Sequence, residues 1–292
     1  MKKNITATII ISVTIICIGI FSYVAVSKAS KSGDIKTDEK IKILIVPGHE
    51  PNAGGADEFK KIKERDLNLQ LSEMIAEKFA SSSNIEIILA RDNNGWNKDI
   101  KNYVETSSST IMNWVALMKK IMLEKINAGE MRLINPGMKH NVAASNAVLY
   151  LYATNKWIAE NDIDLVLHVH FNNNPKYKGK PNYRGYCMYI PDTQYNNYSK
   201  SLTLAKYIDS EISKIEKKSN MPQESQIIIP DQQLIATGNF DTLKIPSVVV
   251  EYAYIYEPMM LSSSTRNKFI ETAASSTATA LENYIKNELI KN

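Results

Sequence analysis

The 292-residue chain is long enough for one sizeable core, and its composition, 44% apolar and 23% charged, is that of a globular protein and not of a disordered one. Of the net charge of +4, three units come from Lys2, Lys3 and Lys28; the remainder is near neutral, with no basic stripe, which argues against a nucleic-acid partner. Two cysteines, Cys17 in an apolar stretch and Cys187 among aromatic residues, exclude a disulfide framework and a cysteine-rich metal site.

Residues 1–29 form a first unit. Lys2 and Lys3 precede Ile5 to Val26, a run without any charge. Its length is about that of a membrane-spanning helix, roughly 20 residues, and exceeds the roughly 7–15 apolar residues of a cleaved signal. Ser27-Lys28-Ala29 would still serve as a cleavage site, so a removed signal is the alternative to an anchor over residues 5–26. Both outcomes place the rest of the chain on the outer side of a membrane, because the positive flank stays in the cytoplasm. Residues 30–40 read as a linker rich in Ser, Lys, Asp and Gly. A single globular domain is expected over residues 41–292.

The domain opens with Lys42-Ile-Leu-Ile-Val46, an apolar run that Pro47-Gly48 stops; it reads as a strand buried on both faces, with His49 and Glu50 just past its end. The loop Pro51-Asn-Ala-Gly-Gly55 lacks the Lys-Ser/Thr ending of a phosphate-binding loop. A helix follows from about Glu64, with Leu67, Leu71, Met74 or Ile75, and Phe79 on one face. Glu64 lies on that same inward face, where an acid is unusual; the plain alternative is a charge favouring the helix N-terminus. A second strand is expected over Ile85–Ala90, ending at Arg91-Asp92.

Residues 93–140 carry an amphipathic helix with Ile111, Val115, Met118, Met122 and Ile126 in register, and Ser107-Ser-Ser-Thr110 reads as its start. It packs on the core or serves as a lid or docking helix. His140 reads as an exposed bystander in a loop. Asn141–Glu160 reads as a third helix with Val142, Asn146, Leu149, Ala153 and Trp157 inward. The buried strand from Ile163 then brings His168 and His170 to one face at its end, followed by Asn172. A strand over Gly185–Ile190, a helix from about Tyr195, an irregular stretch over 218–245, a strand Pro246–Glu251 and a last helix from Thr265 to Leu289 complete the chain.

The alternation of strands and helices implies an α/β fold: a twisted, mostly parallel sheet with helices on both faces, preceded by the N-terminal transmembrane or signal helix. Right-handed crossovers bring the carboxyl ends of the strands to one edge, with His49, His170 and Glu251 on it and Glu64 at the start of the helix beside it. Two imidazoles and one carboxylate match the ligand set of a catalytic Zn2+ with an open position, and Glu251 would then carry protons.

Four segments in this order, Pro47-Gly-His49, Glu64-Arg-Asp-Leu-Asn-Leu69, His170-Phe-Asn172 and Pro246-Ser-Val-Val-Val-Glu251, resemble the zinc-dependent N-acetylmuramoyl-L-alanine amidases that cut bacterial peptidoglycan. Leu89-Ala-Arg91-Asp92 and Ser145-Asn146 resemble two further segments of that family, and the likeness runs from about Ile43 to the end of the last helix. The resemblance implies zinc on His49, Glu64 and His170, Glu251 as the catalytic acid/base, and cleavage of the amide joining muramic acid to L-alanine. It also favours His170 over His168 as the ligand. The chain departs from the family at Glu50, where glycine is usual, at Tyr252-Ala-Tyr254 after the last glutamate, and in the length of the 93–140 insertion, where a regulatory protein could dock. The rivals are another zinc hydrolase of carboxypeptidase type, which would need an arginine clamp such as Arg91 or Arg184, and a non-catalytic wall-binding module on the same fold.

Overall fold

The structure is a computed structural model that describes residues 40–51, 57–59, 62–135, 145–173 and 183–290. The expected N-terminal helix, His140 and the start of the third helix lie outside the described residues. Among the described residues, no helix is long and apolar enough to cross a membrane.

Residues 39–292 form one compact unit around a six-stranded sheet of β1 (Ile41–Pro47), β4 (Ile85–Leu89), β7 (Leu165–Asn172), β8 (Cys187–Pro191), β9 (Ile228–Asp231) and β10 (Ser247–Tyr254). Their order is β4-β1-β7-β10-β8-β9. β4, β1, β7 and β10 pair in parallel, and β8 joins β10 antiparallel. The expected mostly parallel sheet is thus present. Two small hairpins, β2 (Asp57–Phe59) with β3 (Ile62–Lys63) and β5 (Arg91–Asp92) with β6 (Gly95–Trp96), stand outside it.

The strands are apolar throughout because both faces are covered. On one face Ile43, Ile45, Leu167 and Val250 meet Leu67, Leu71 and Ile75 of α1 (Glu64–Lys78), together with α4 (Tyr198–Ile212) and α6 (Ser263–Tyr284). On the other, Leu44, Val46 and Val166 meet Ile100 of α2 (Lys98–Asn127) and Trp157 and Ile158 of α3 (Ser145–Glu160). The crossover from β1 to β4 therefore runs along one face and that from β4 to β7 along the other. Between them, at the carboxyl ends of β1 and β7, the chain reverses its direction of winding, which is where open α/β sheets leave a crevice.

Several expectations need correction. α2 starts at Lys98, where the Asn97 side chain accepts from the amides of Asp99 and Ile100, so Ser107–Thr110 lies inside a 30-residue helix and not at its start. Asn146 is exposed, because the first turn of α3 rises clear of the sheet before Ala153 and Trp157 reach the core. The stretch 218–245 contains the edge strand β9. β10 runs on past Glu251 to Tyr254 and β7 past His170 to Asn172, so both residues stand inside the last turns of their strands. Cys187 is a buried free thiol.

Candidate metal centre

β1 ends at Pro47, and the chain turns at Gly48 and His49. His49 has φ 69°, in the left-handed region that costs a residue with a Cβ about 1–2 kcal/mol. Two buried side chains hold this turn. Arg91 donates from Nε to the Pro47 carbonyl at 3.1 Å, and from a terminal nitrogen to the carbonyls of Gly48 at 2.9 Å and Arg65 at 2.7 Å. Asn68 donates to the Gly48 carbonyl at 3.2 Å. Burial pulls the Arg91 guanidinium down to about 10, so it stays charged at neutral pH and gathers three carbonyl oxygens around itself. Position 48 must be glycine for a separate reason: a Cβ there would lie 2.3 Å from atoms of the His170 ring.

Glu64 is the first residue of α1 and is 5% exposed. Its Oε1 lies 2.8 Å from His49 Nε2 and 3.2 Å from His170 Nδ1. The two imidazoles stand edge to face with centroids 5.0 Å apart. One donor atom from each of His49, Glu64 and His170 lies within 4.8 Å of the others, among the described residues a cluster able to hold a metal ion. Tetrahedral ligation with bonds of about 2.0–2.2 Å would set such atoms about 3.3–3.6 Å apart, so the donors need only small shifts to accept an ion. Burial by itself would raise the Glu64 carboxyl, but the hydrogen bonds and charges of His170 and His49 overcome it and hold Glu64 well below the usual carboxylate range. Burial lowers the His170 imidazole, which favours the neutral ring that a metal needs.

Glu251 pairs in register with His170 across β7 and β10. Its Oε2 is buried without a hydrogen-bond partner among the described residues. Burial first, then the charges of Glu64 and Glu224, push its carboxyl well above the ordinary value. The centre therefore holds one carboxylate that stays ionised and one carboxyl that binds its proton more tightly than usual. That is the division of labour expected of an acid/base pair.

His168 is not part of the cluster. It is 2% exposed; burial and the neighbouring His170 lower it to about 3 despite a hydrogen bond with the Ala236 backbone. Glu50 also stands outside the cluster, where its charge is felt by Tyr150. Sequence reasoning missed the part played by Arg91 and Asn68 at the turn. It also missed Glu224, a fully buried carboxylate that accepts from Asn172 at 2.7 Å, Tyr254 at 2.9 Å, Tyr189 at 3.3 Å and the Ser219 hydroxyl. Only the sequence likeness around Arg91 and the asparagine closing the His170-Phe-Asn172 segment hinted at them. Arg91 is spent on backbone carbonyls, which removes it as a carboxylate clamp.

The family model of the N-acetylmuramoyl-L-alanine amidases matches residues 43–283. The chain belongs to that family. It is an amidase that hydrolyses the bond between N-acetylmuramic acid and L-alanine in peptidoglycan. No curated protein gives a significant match. Among solved structures, the CwlD amidase of Clostridioides difficile, solved in complex with the GerS lipoprotein, is 16% identical at a TM-score of 0.53, covering 85% of this chain and 99% of its own. The catalytic domain of the CwlV amidase of Bacillus (Paenibacillus) polymyxa is 12% identical at a TM-score of 0.52, covering 86% and 99%. The Ami1 amidase of Mycobacterium smegmatis is 11% identical at a TM-score of 0.52, with the same coverage. At these identities the likeness shows the amidase fold alone.

Proposed function

We propose that this amidase works with a Zn2+ ion held by His49 Nε2, a Glu64 carboxylate oxygen and His170 Nδ1, and that Glu251 is its acid/base. The convergence of three donors from the end of β1, α1 and β7 on one point, with a second acid, Glu251, beside them, carries this proposal. When bound, the ion would polarise the scissile carbonyl and lower the pKa of a water to about 7. Glu64 keeps its charge at any physiological pH and so offers a permanent anionic ligand. Neutral His170 offers a lone pair, and the Gly48 backbone packs against its ring and fixes its orientation. Arg91 and Asn68 hold the carbonyls of the turn away from the site and so aim His49. Glu251 takes a proton from the attacking water and returns it to the departing L-alanine amine, which is why a carboxyl with a raised pKa suits the position.

Residues 1–29 would act as a signal-anchor, with residues 5–26 holding the catalytic domain of 41–292 on the outer side of the membrane through the 30–40 linker. The alternative is a secreted enzyme cleaved after Ala29, and recovery of all the protein in a detergent-free soluble fraction would favour it. The 93–140 insertion is the place where a regulatory protein would dock: α2 exposes Met112, Leu117, Ile121 and Leu123. That an amidase of this fold forms a complex with another protein has a precedent in CwlD and the GerS lipoprotein.

Incubating the full-length protein in detergent with defined muropeptides tests the chemistry. Release of free stem peptide that stops in the presence of a chelator and returns on adding one equivalent of zinc is the expected result. Activity that survives exhaustive metal removal would contradict the proposal.

A further inference from the structure

Glu251 stands opposite His170 at the start of an irregular piece of ladder. β7 and β10 pair in register as far as His170 and Glu251, and pair again at Asn172 and Tyr254. Between those two rungs β7 advances by two residues and β10 by three, so β10 carries one extra residue, a bulge that begins at the proposed acid/base. A bulge bends its strand and re-aims the side chains beside it, and it leaves the ladder locally unpaired. The aim of Glu251 therefore depends on what fastens the rung beyond the bulge. One backbone bond does so, from the Ile255 amide to the Asn172 carbonyl at 3.0 Å, before the chain leaves the sheet for the short helix α5 (Pro258–Leu261).

The other fastening is a single carboxylate. Glu224 is fully buried. Its Oε1 accepts from Asn172 Nδ2 at 2.7 Å and from the Tyr189 hydroxyl at 3.3 Å. Its Oε2 accepts from the Tyr254 hydroxyl at 2.9 Å and from the Ser219 hydroxyl. Asn172 and Tyr254, the two residues paired beyond the bulge, thus donate to the two oxygens of one group, and Tyr189 adds β8 to the same knot. The Cys187 thiol, opposite Glu251 on β8, hydrogen-bonds Glu224 as well. Glu224 belongs to none of these strands. It ends a single 3₁₀ turn, Pro222–Glu224, and the chain then reaches β9 through Ile227 at φ 63°. Such a backbone costs about 1–3 kcal/mol and persists only where its surroundings fix it. Here the Ile227 carbonyl accepts from the Met188 amide at 2.7 Å and the Ile227 amide donates to the Glu224 carbonyl at 3.0 Å. The turn that brings Glu224 inward is held against its own backbone preference.

We propose that Glu224 is a positioning residue for the reaction: it locks β10 to β7 beyond the bulge and so fixes the Glu251 carboxyl relative to His170. The inference rests on Glu251 being the acid/base, as proposed above. Proton transfer needs that carboxyl within hydrogen-bond reach of the attacking water, and a displacement of about 1 Å can lower a rate by about 10²-fold. His170 is fixed independently, by the Gly48 backbone against its ring and by Glu64 at 3.2 Å. Loss of the lock therefore moves Glu251 and leaves the metal ligands in place.

The test compares two tyrosines of β10 in the zinc-loaded full-length protein in detergent. Tyr254→Phe removes one hydroxyl from Glu224. Tyr252→Phe removes a buried hydroxyl from the same strand, one that pairs with Thr277 of α6 at 2.8 Å. Glu224→Met removes the lock altogether. Tyr254→Phe and Glu224→Met are expected to lower kcat on a defined muropeptide by about ten-fold or more, with KM within about two-fold and zinc content unchanged. Their crystal structures should show the Glu251 carboxyl displaced by about 1 Å or more relative to His170. Tyr252→Phe should keep kcat within about two-fold, because loosening β10 from α6 leaves the lock intact. A fall of less than about three-fold in Tyr254→Phe, an equal fall in Tyr252→Phe, loss of zinc, or an unmoved Glu251 would overturn the proposal. Where Glu224→Met does not fold, Tyr254→Phe and its structure decide. The wild type reads the catalytic proposal separately. A displaced Glu251 in the variants of a protein that cleaves nothing sinks the hydrolytic chemistry and leaves the lock. A zinc-dependent wild type whose Tyr254→Phe variant is equally active sinks the lock alone.

Discussion

Glu64 and Glu251 stand on either side of His170, one at the start of α1 and the other on β10, and their surroundings act on them in opposite senses. Glu64 is nearly buried, yet two imidazoles share one of its oxygens and hold it ionised. Glu251 has no such partner; burial and two neighbouring acids raise its affinity for a proton. The difference shows how one edge of a sheet supplies both a carboxylate held ionised and a carboxyl of raised proton affinity, the pair that the proposed metal ligand and proton carrier require. The carboxyl groups are chemically alike, and only the residues each one faces assign the role.

The most severe way to probe this division is to neutralise the proton carrier while leaving the ligands intact. Glu251→Gln should lower kcat on muropeptides by about 10²–10⁴-fold, the usual contribution of a positioned acid/base, with zinc content unchanged. A variant that retains more than a tenth of wild-type turnover would show that the proton travels another way.

The next probe attacks the clamp behind the ligands. Arg91→Met removes a donor from three carbonyl oxygens at once, leaving only that of Gly48 with the Asn68 side chain; it should weaken zinc affinity by about 10–100-fold, as loss of a ligand's support generally does, and reduce stability by about 2 kcal/mol or more. Unchanged zinc affinity would mean that His49 is aimed by β1 alone.

A smaller effect concerns stability against pH in the metal-free protein. Glu251 has a folded pKa raised above its unfolded value of 4.5, so the folded state binds the extra proton and the wild-type protein loses stability as pH rises above about 4.5. Glu251→Gln removes that loss. The variant should melt a few degrees higher than wild type at pH 8, and the gap should close by pH 4. For Glu64, whose folded pKa is depressed, the sign is reversed: its contribution is fully present above about pH 4.5 and is lost progressively as the pH falls below that. Wild type and Glu251→Gln melting alike at pH 8 would show that the carboxyl is better solvated than the structure implies.

Much of this was legible in the sequence, for identifiable reasons. Strands buried on both faces must be apolar throughout, so β1, β7 and β10 announce themselves, and an ionisable residue at the end of each stands out against that run. Glu64 was legible because an acid at i−3 from Leu67 falls on a face that is otherwise apolar. What was not legible depends on contacts distant in sequence. Nothing local says that Arg91 will bind the carbonyls of Pro47, Gly48 and Arg65. His168 and His170 share a strand face, and only the approach of Glu64 from α1 on one and of the Ala236 backbone on the other separates them. β9 escaped notice because it is a short edge strand that contains Pro230, a residue that sheet interiors reject. The start of α2 was missed because its cap, Asn97, follows the hairpin of β5 and β6, while the serine run further on looks like a cap and instead turns its hydroxyls to the solvent side of a continuous helix.

The account stands most directly on a count of zinc per chain by elemental analysis, made on the purified full-length protein and on His49→Ala, Glu64→Ala, His170→Ala and His168→Ala variants that remain folded. It predicts one equivalent in the wild type and in His168→Ala, and less than about a tenth of an equivalent in each of the other three. Full zinc retention in His170→Ala, or its loss in His168→Ala alone, would contradict it.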